Sequence, residues 1–174
     1  MCQLLGMNAN TPTDIGFSFT GFHNRGGKTD HHSDGFGIAF FEPSACETSD
    51  QAPTLNRSRG LRVFHDDKPS FRSPVAELVK NYPIKALNVV AHIRKATQGT
   101  NCLANTHPFV REVWGEQWVF AHNGQMNEGF IKRCQRLQDN GNSEYCRPVG
   151  TTDSETAFCY LINRLKSTCL LYTS

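Results

Sequence analysis

Apolar residues come in short bursts along this chain, and the spacing within the bursts changes from segment to segment. "FGIAFFE", "LRVFHD", "ALNVVAHIR" and "QWVFAHNG" are runs of strand length, rich in β-branched and aromatic side chains and bounded by polar or Gly-containing stretches, so each predicts a strand. "CQLLGM" predicts a short buried strand, and "TPTDIGFSFTGF" a turn entering a short helix. Helical spacing dominates two other segments. In "VAELVKNY", Val75, Leu78 and Val79 share a face behind Ser73 as N-cap and Pro74 as first helical residue. From "TTDSE" onward, Thr152 and Glu155 fit a capping box, and Ala157, Phe158, Leu161, Ile162 and Leu165 form a stripe that should face a core. "RGGKTDHHSDG" is a polar, Gly-rich loop, and the region from Ala45 to Gly60, which has no periodicity, is expected to be a surface excursion. Helices flanking strands of mostly two-sided apolar character predict an α+β architecture of helices packed on stacked sheets, not a doubly wound sheet.

Composition narrows the function. At 174 residues the chain suits one domain with a substantial core. Eighteen basic against 16 acidic residues leave a net charge of +2, which makes no electrostatic case for nucleic acid. The basic cluster "IKRCQRLQ" reads as solvated helix surface. The first residues lack the basic leader of a signal peptide, and no apolar run approaches the roughly 20 residues that cross a bilayer, so no membrane association and a cytoplasmic setting are expected. Seven irregularly spaced cysteines without a C-x-x-C pair argue against a disulfide framework and against structural zinc, and reduced thiols are expected. Neither G-x-G-x-x-G nor a Walker pattern is present.

The candidate chemistry begins at Cys2. Removal of Met1 would leave a residue with a thiol and a free α-amine; these titrate near 8.5 and near 7.7–8.0, so the amine can take the thiol proton and the nucleophile carries its own base. The same cysteine could simply open a buried strand. Attack on a carbonyl creates an oxyanion, and "AHNG" at a strand end offers the Asn123 side-chain amide and the Gly124 N–H as donors, although Asn-Gly is also an ordinary tight turn. Arg94 can grip a substrate carboxylate, with Thr97 adding a hydroxyl, and Asp153 can receive an ammonium or cap the last helix.

Taken together and in order, Cys2, "NRGG…SDGFGIAFF", "AHIRKAT", "NTHPF", "FAHNGQM" and "GTTDSE" resemble the class II glutamine amidotransferases of the N-terminal-nucleophile hydrolase superfamily, and most of all its stand-alone bacterial branch. The resemblance covers about residues 2 to 166. It implies a four-layer α-β-β-α sandwich with Cys2 on a central strand, formed by one type-2 amidotransferase domain over residues 2–174. Because such domains continue past the helix after "TDSE" with further strands, the chain is expected to be truncated at its C-terminus. It also implies roles: Cys2 forms a γ-glutamyl thioester and releases ammonia; Asn123 and Gly124 make the oxyanion hole; Arg94 binds the α-carboxylate and Asp153 the α-amine; Thr97 and His107 support the pocket; Arg25 and Gly26 shape the loop beside the nucleophile. No cofactor and no metal are implied. A synthase partner could receive the ammonia, while hydrolysis of a γ-glutamyl peptide or thiol metabolite, amino-acid binding without catalysis, and a structural or regulatory subunit are the alternatives. His31 and His32 fall in "KTDHHS", a stretch longer than the compact spacing of synthase-linked members, and are expected at the loop surface. Phe36 stands where tryptophan is frequent and should pack equally well. His92 and His122 are expected to be structural, and Cys46, Cys102, Cys134, Cys146, Cys159 and Cys169 to have no catalytic task.

Overall fold

Residues 2–42, 60–96, 100–137 and 145–169 are described by a computed structural model. Among the described residues, six strands and four α-helices follow one another: β1 (Gln3–Asp14), α1 (Gly16–Asn24), β2 (Phe36–Glu42), β3 (Gly60–Asp66), α2 (Pro74–Asn81), β4 (Lys85–Ile93), β5 (Phe109–Val113), β6 (Glu116–Phe120), α3 (Glu128–Leu137) and α4 (Asp153–Cys169). Four strands form one antiparallel sheet in the order β1-β4-β2-β3, and β5 and β6 pair as a second.

Strand alternation decides what each face of the first sheet does. On β2, Phe36, Ile38 and Phe40 point one way, opposite Ile93, Ala91 and Val89 of β4, and these residues pack against Phe19 and Phe22 of α1 and Ala76 and Val79 of α2. Phe36 is fully buried there. Each large apolar side chain removed from water in this core contributes about 1.5–3 kcal/mol. Ser73 caps α2 as its position predicts, with its Oγ accepting from the Ala76 N–H at 3.1 Å while donating to the buried Asp66 carboxylate. The other face of the sheet carries Gly37, Ala39 and His92, and the segment entering β5 packs upon it. His65 donates from Nε2 to the Pro108 carbonyl at 2.9 Å, and the His92 and His107 rings meet with centroids 4.4 Å apart. Beyond lies a second core, in which Phe109 and Val113 of β5 pack with Phe158, Cys159 and Ile162 of α4. Phe130 of α3 meets Tyr160 of α4 edge-on at 5.8 Å. The arrangement is therefore an α+β sandwich of two sheets flanked by helices.

Several expectations need correction. β1 is neither short nor wholly buried: its side chains alternate half-buried and exposed through Asn10, and it continues through "TPTD" to Asp14 with every residue exposed. Among the described residues it is the outermost strand of its sheet, paired with β4, and Cys2 immediately precedes it. Leu78 is 58% exposed, because α2 lies on the sheet through Ala76 and Val79. On α4, Leu161 and Leu165 are exposed while Ala157, Phe158 and Ile162 are buried, a narrower stripe than predicted. Half of the capping box forms: the Glu155 N–H donates to Thr152 Oγ1 at 3.2 Å, but the Glu155 carboxylate turns instead to the Val149 and Gly150 N–H groups at 3.1 and 2.7 Å and to Arg111. Cys146 and Cys159, expected to be free thiols, are joined in a disulfide. They lie only 13 positions apart, and the loop before α4 folds back on that helix, where Asn163 holds both the N–H and the C=O of Cys146. The excursion predicted over residues 45–60 lies outside the described residues except for Gly60, which opens β3.

Candidate active site

The site is built where β4 ends and two loops meet it. Past Ile93 the ladder with β2 continues: the Arg94 N–H donates to the Gly35 carbonyl at 2.8 Å, and the Asp34 N–H donates to the Arg94 carbonyl at 3.2 Å. The Asp34 carboxylate then accepts the Ala96 N–H at 2.8 Å, which fixes the path of the chain after Arg94. Cys2 is placed by this segment. Its Sγ accepts the Lys95 N–H at 3.3 Å and faces the Lys95 carbonyl at 3.5 Å, so two backbone groups of one residue orient the thiol. Cys2 is a free thiol and partly exposed. Arg94, beside it, is buried and donates from Nη1 to the Thr100 carbonyl at 3.3 Å. Thr97 lies outside the described residues.

A side-chain chain ties the loop after "NRGG" to the first residue of β1. Arg25 donates to Gln3 Oε1 at 3.1 Å, Gln3 donates to Asp30 at 3.4 Å, and the Asp30 carboxylate lies 3.1 Å from His32 Nδ1. His32 is buried at 4% exposure, which corrects its assignment to the loop surface; His31 alone is exposed. The Asp30 carboxyl is held below its usual range, first by the His31 N–H, with His32 and Lys95 contributing. Gly26 is buried where a β-carbon would collide with Ser70, whose hydroxyl donates to the His23 carbonyl at 2.8 Å, so this glycine is required by close packing.

The remaining candidate residues lie at the end of β6 and the start of α4. Asn123 and Gly124 are exposed and follow His122, whose Nδ1 lies 3.1 Å from Ser154 Oγ. Asp153 accepts the Met126 N–H at 2.7 Å, so it does more than cap its own helix. His92 and His107 meet between the two sheets. His92 is wholly buried, and His107, expected among the pocket residues, is buried with its ring between His92 and Phe109. Burial lowers His92 to about 4, with Arg94 adding to the shift and the nearby His122 main chain offsetting part of it. Burial lowers His107 to about 2, helped by His92, His122 and Arg94. Both rings are therefore neutral near pH 7, and their mutual influence with His122 and Arg94 marks these residues as one neighbourhood. Among the described residues no group of three or more His, Cys, Asp or Glu side chains is arranged to hold a metal ion.

Sequence reasoning missed three contributors. The Lys95 backbone carries no side-chain signal. Ser154 stood inside "TTDSE" but reads as ordinary helix-start chemistry. Asp34, in "SDG", looked like a turn residue.

The thiol before β1 is held by the peptide groups of Lys95, Arg94 next to that residue is buried, and the Asn-Gly turn is fastened to α4; similarity to known proteins gives the chain a family. The family described as "Glutamine amidotransferases class-II" matches residues 1–173, and the chain belongs to it. It is 53% identical over 168 residues to a Haemophilus influenzae protein and 51% identical over 165 residues to YafJ of Escherichia coli, both bearing the name "Putative glutamine amidotransferase". These matches cover 97% and 95% of this chain but 49% and 55% of the relatives, so the chain spans about half the length of the curated relatives it matches. The crystal structure of a "predicted glutamine amidotransferase" from Pseudomonas aeruginosa superimposes with a TM-score of 0.55 at 37% identity, covering 96% of this chain and 56% of that one.

Proposed function

We propose that this chain is a cysteine-dependent amidase of glutamine or a related γ-glutamyl compound, and that residues 2–174 act as one amidotransferase domain. The observation that carries the reading is Cys2 Sγ held by the Lys95 peptide groups next to the buried Arg94. With Met1 removed, Sγ attacks the side-chain carbonyl carbon and the Cys2 α-amine takes the thiol proton. The carbonyl oxygen becomes an oxyanion that the Asn123 amide and the Gly124 N–H hold; loss of one such donor typically costs about 2.7–4 kcal/mol of transition-state stabilisation. The α-ammonium then returns its proton to the departing nitrogen, the C–N bond breaks and ammonia leaves a γ-glutamyl thioester. Water adds to the thioester with the same amine as base, giving glutamate and the free thiol. Arg94 receives the substrate carboxylate as a paired, charge-assisted contact, and Asp153 the α-ammonium. Thr97 and His107 support the pocket, and Arg25 and Gly26 position the loop over the nucleophile. A synthase partner is the receiver of ammonia in a transfer reaction. No described helix is long and apolar enough to cross a membrane, and the cytoplasm is our proposed setting.

Intact mass measured before and after exposure to a glutamine-mimicking diazoketone tests the reading. Loss of Met1 and a single adduct mapping to Cys2, absent from C2A, are expected. A processed chain that takes no adduct, or C2A that still releases ammonia from glutamine, would sink it.

A further inference from the structure

The turn that carries Asn123 and Gly124 is fastened to α4 at both ends. At its start, His122 Nδ1 meets Ser154 Oγ at 3.1 Å; at its finish, the Met126 N–H donates to Asp153 Oδ2 at 2.7 Å. Ser154 closes the circuit by donating from Oγ to Asp153 Oδ1 at 3.2 Å, while its own N–H donates to the same oxygen at 2.7 Å. With the hydroxyl proton directed at the carboxylate, His122 is the donor to Ser154 from Nδ1, which leaves Nε2 facing the turn. That face touches the turn: a β-carbon added at Gly124 would stand 3.1 Å from His122 Nε2. Ser154 is 3% exposed, so its hydroxyl bonds are shielded from competing water. Three residues, Asn123, Gly124 and Gln125, span the arch between the fastened points.

We propose that His122 and Ser154 are positioning residues that lock the Asn123–Gly124 turn to Asp153, so that the donors for the oxyanion and the carboxylate for the substrate ammonium are set as one unit. The inference rests on the proposed amidase reading for its catalytic consequence, but the lock itself is a property of the structure. Neither side chain needs to touch substrate. Breaking one fastening frees the arch at one end, and a displacement of about 1 Å at a reacting centre costs about a hundredfold in rate. Because Arg94 is untouched and Asp153 still accepts the Ser154 and Met126 N–H groups, ground-state recognition is largely kept and the loss falls on kcat more than on KM.

The test compares S154A and H122F with the conservative S154T and H122N in the full chain. The first pair deletes the hydroxyl or the ring donor; the second keeps a hydroxyl at 154 or an amide N–H in place of Nδ1–H at 122. Ammonia release from glutamine should fall about a hundredfold in kcat for S154A and H122F with KM changed less than about threefold, and S154T and H122N should recover at least about a tenfold part of the loss. Amide hydrogen exchange over residues 123–126 is read in parallel, without substrate, and should quicken in S154A and H122F only. Unchanged kcat and unchanged exchange in S154A and H122F would overturn the proposal, as would equal damage from the conservative pair. If the unmodified chain releases no ammonia, the amidase reading fails, and the exchange measurement alone then decides whether the lock exists.

Discussion

His92 and His107 show how far single residues here depart from their ordinary chemistry. Both are buried between the sheets and are lowered, to about 4 and about 2, chiefly by loss of water, with Arg94 and the neighbouring histidines adding to the shift. His65 and His23 are lowered as well, again chiefly by burial. In the unfolded chain each titrates near 6.5. Between that value and its folded value the unfolded state holds the extra proton, so stability rises with pH and is lost as pH falls below 6.5. At pH 5.0, one and a half units down, a histidine still neutral in the fold costs about 2 kcal/mol relative to neutral pH. Asp30 and Glu77, whose carboxyls are held low, stay largely ionised in both states at that pH and add little to this slope. Urea unfolding at pH 7.5 and 5.0 should therefore give a lower free energy at 5.0, by about 2 kcal/mol or more, and H107F should shrink the difference. Equal stability at the two pH values would show that these rings are solvated in solution. "AHI" and "NTHPF" displayed the histidines, but not the size of the effect, which depends on their burial where the segment entering β5 packs on the first sheet.

Elements were legible where their chemistry is local. The Ser73-Pro74 cap, the strand "FGIAFFE" and the start of α4 at "TTDSE" form as their own residues dictate. What a neighbour decides was not legible: the exposure of Leu78 and Leu161, the burial of His32 against Asp30, and the meeting of Cys146 with Cys159 all depend on tertiary contacts. Glu155 belongs to both groups. Its place in the capping box was readable, yet its carboxylate, only 1% exposed, is spent on the Val149 and Gly150 N–H groups and on Arg111 at 2.5 Å. It thereby holds the loop that delivers Asp153. E155A leaves those donors and a partly buried guanidinium without their acceptor, and should cost about 3–5 kcal/mol by denaturant unfolding. E155Q keeps the shape and one acceptor oxygen, so its loss should be smaller. A loss below about 1 kcal/mol in E155A would mean that water replaces the carboxylate freely, and that the loop before α4 is held by the Cys146–Cys159 bond and by Asn105, which accepts the Thr151 N–H at 2.7 Å.

At the scale of the whole molecule, the proposed site draws Cys2 and Arg94 from the first layer and Asn123, Gly124 and Asp153 from the second, so on that reading activity depends on how closely the two sheets approach. The stacked-sheet architecture was readable from strand patterns, but the spacing between the sheets was not. It is set at Gly37, on the β2 face opposite Phe36 and Ile38, where a β-carbon would collide with the His107 carbonyl oxygen and the His65 ring. The His107 oxygen belongs to backbone and cannot step aside as a flexible side-chain tip would. G37A must therefore push the segment entering β5 away from the first sheet, loosening the His65–Pro108 hydrogen bond and the His92–His107 contact together. Overpacking of this kind costs about 1–3 kcal/mol. Gly60 is the matched control, a strand glycine at the start of β3 with nothing within 4 Å of an added β-carbon. Denaturant unfolding should place G37A about 1–3 kcal/mol below the parent and G60A within about 0.5 kcal/mol of it. Diazoketone labelling of Cys2 should slow in G37A alone, because separating the layers draws the oxyanion donors away from the thiol. Were G37A to match G60A in both measurements, the sheets would have room to spare at this point, and the register of nucleophile against oxyanion turn would have to be set elsewhere, by the fastening of the turn to α4.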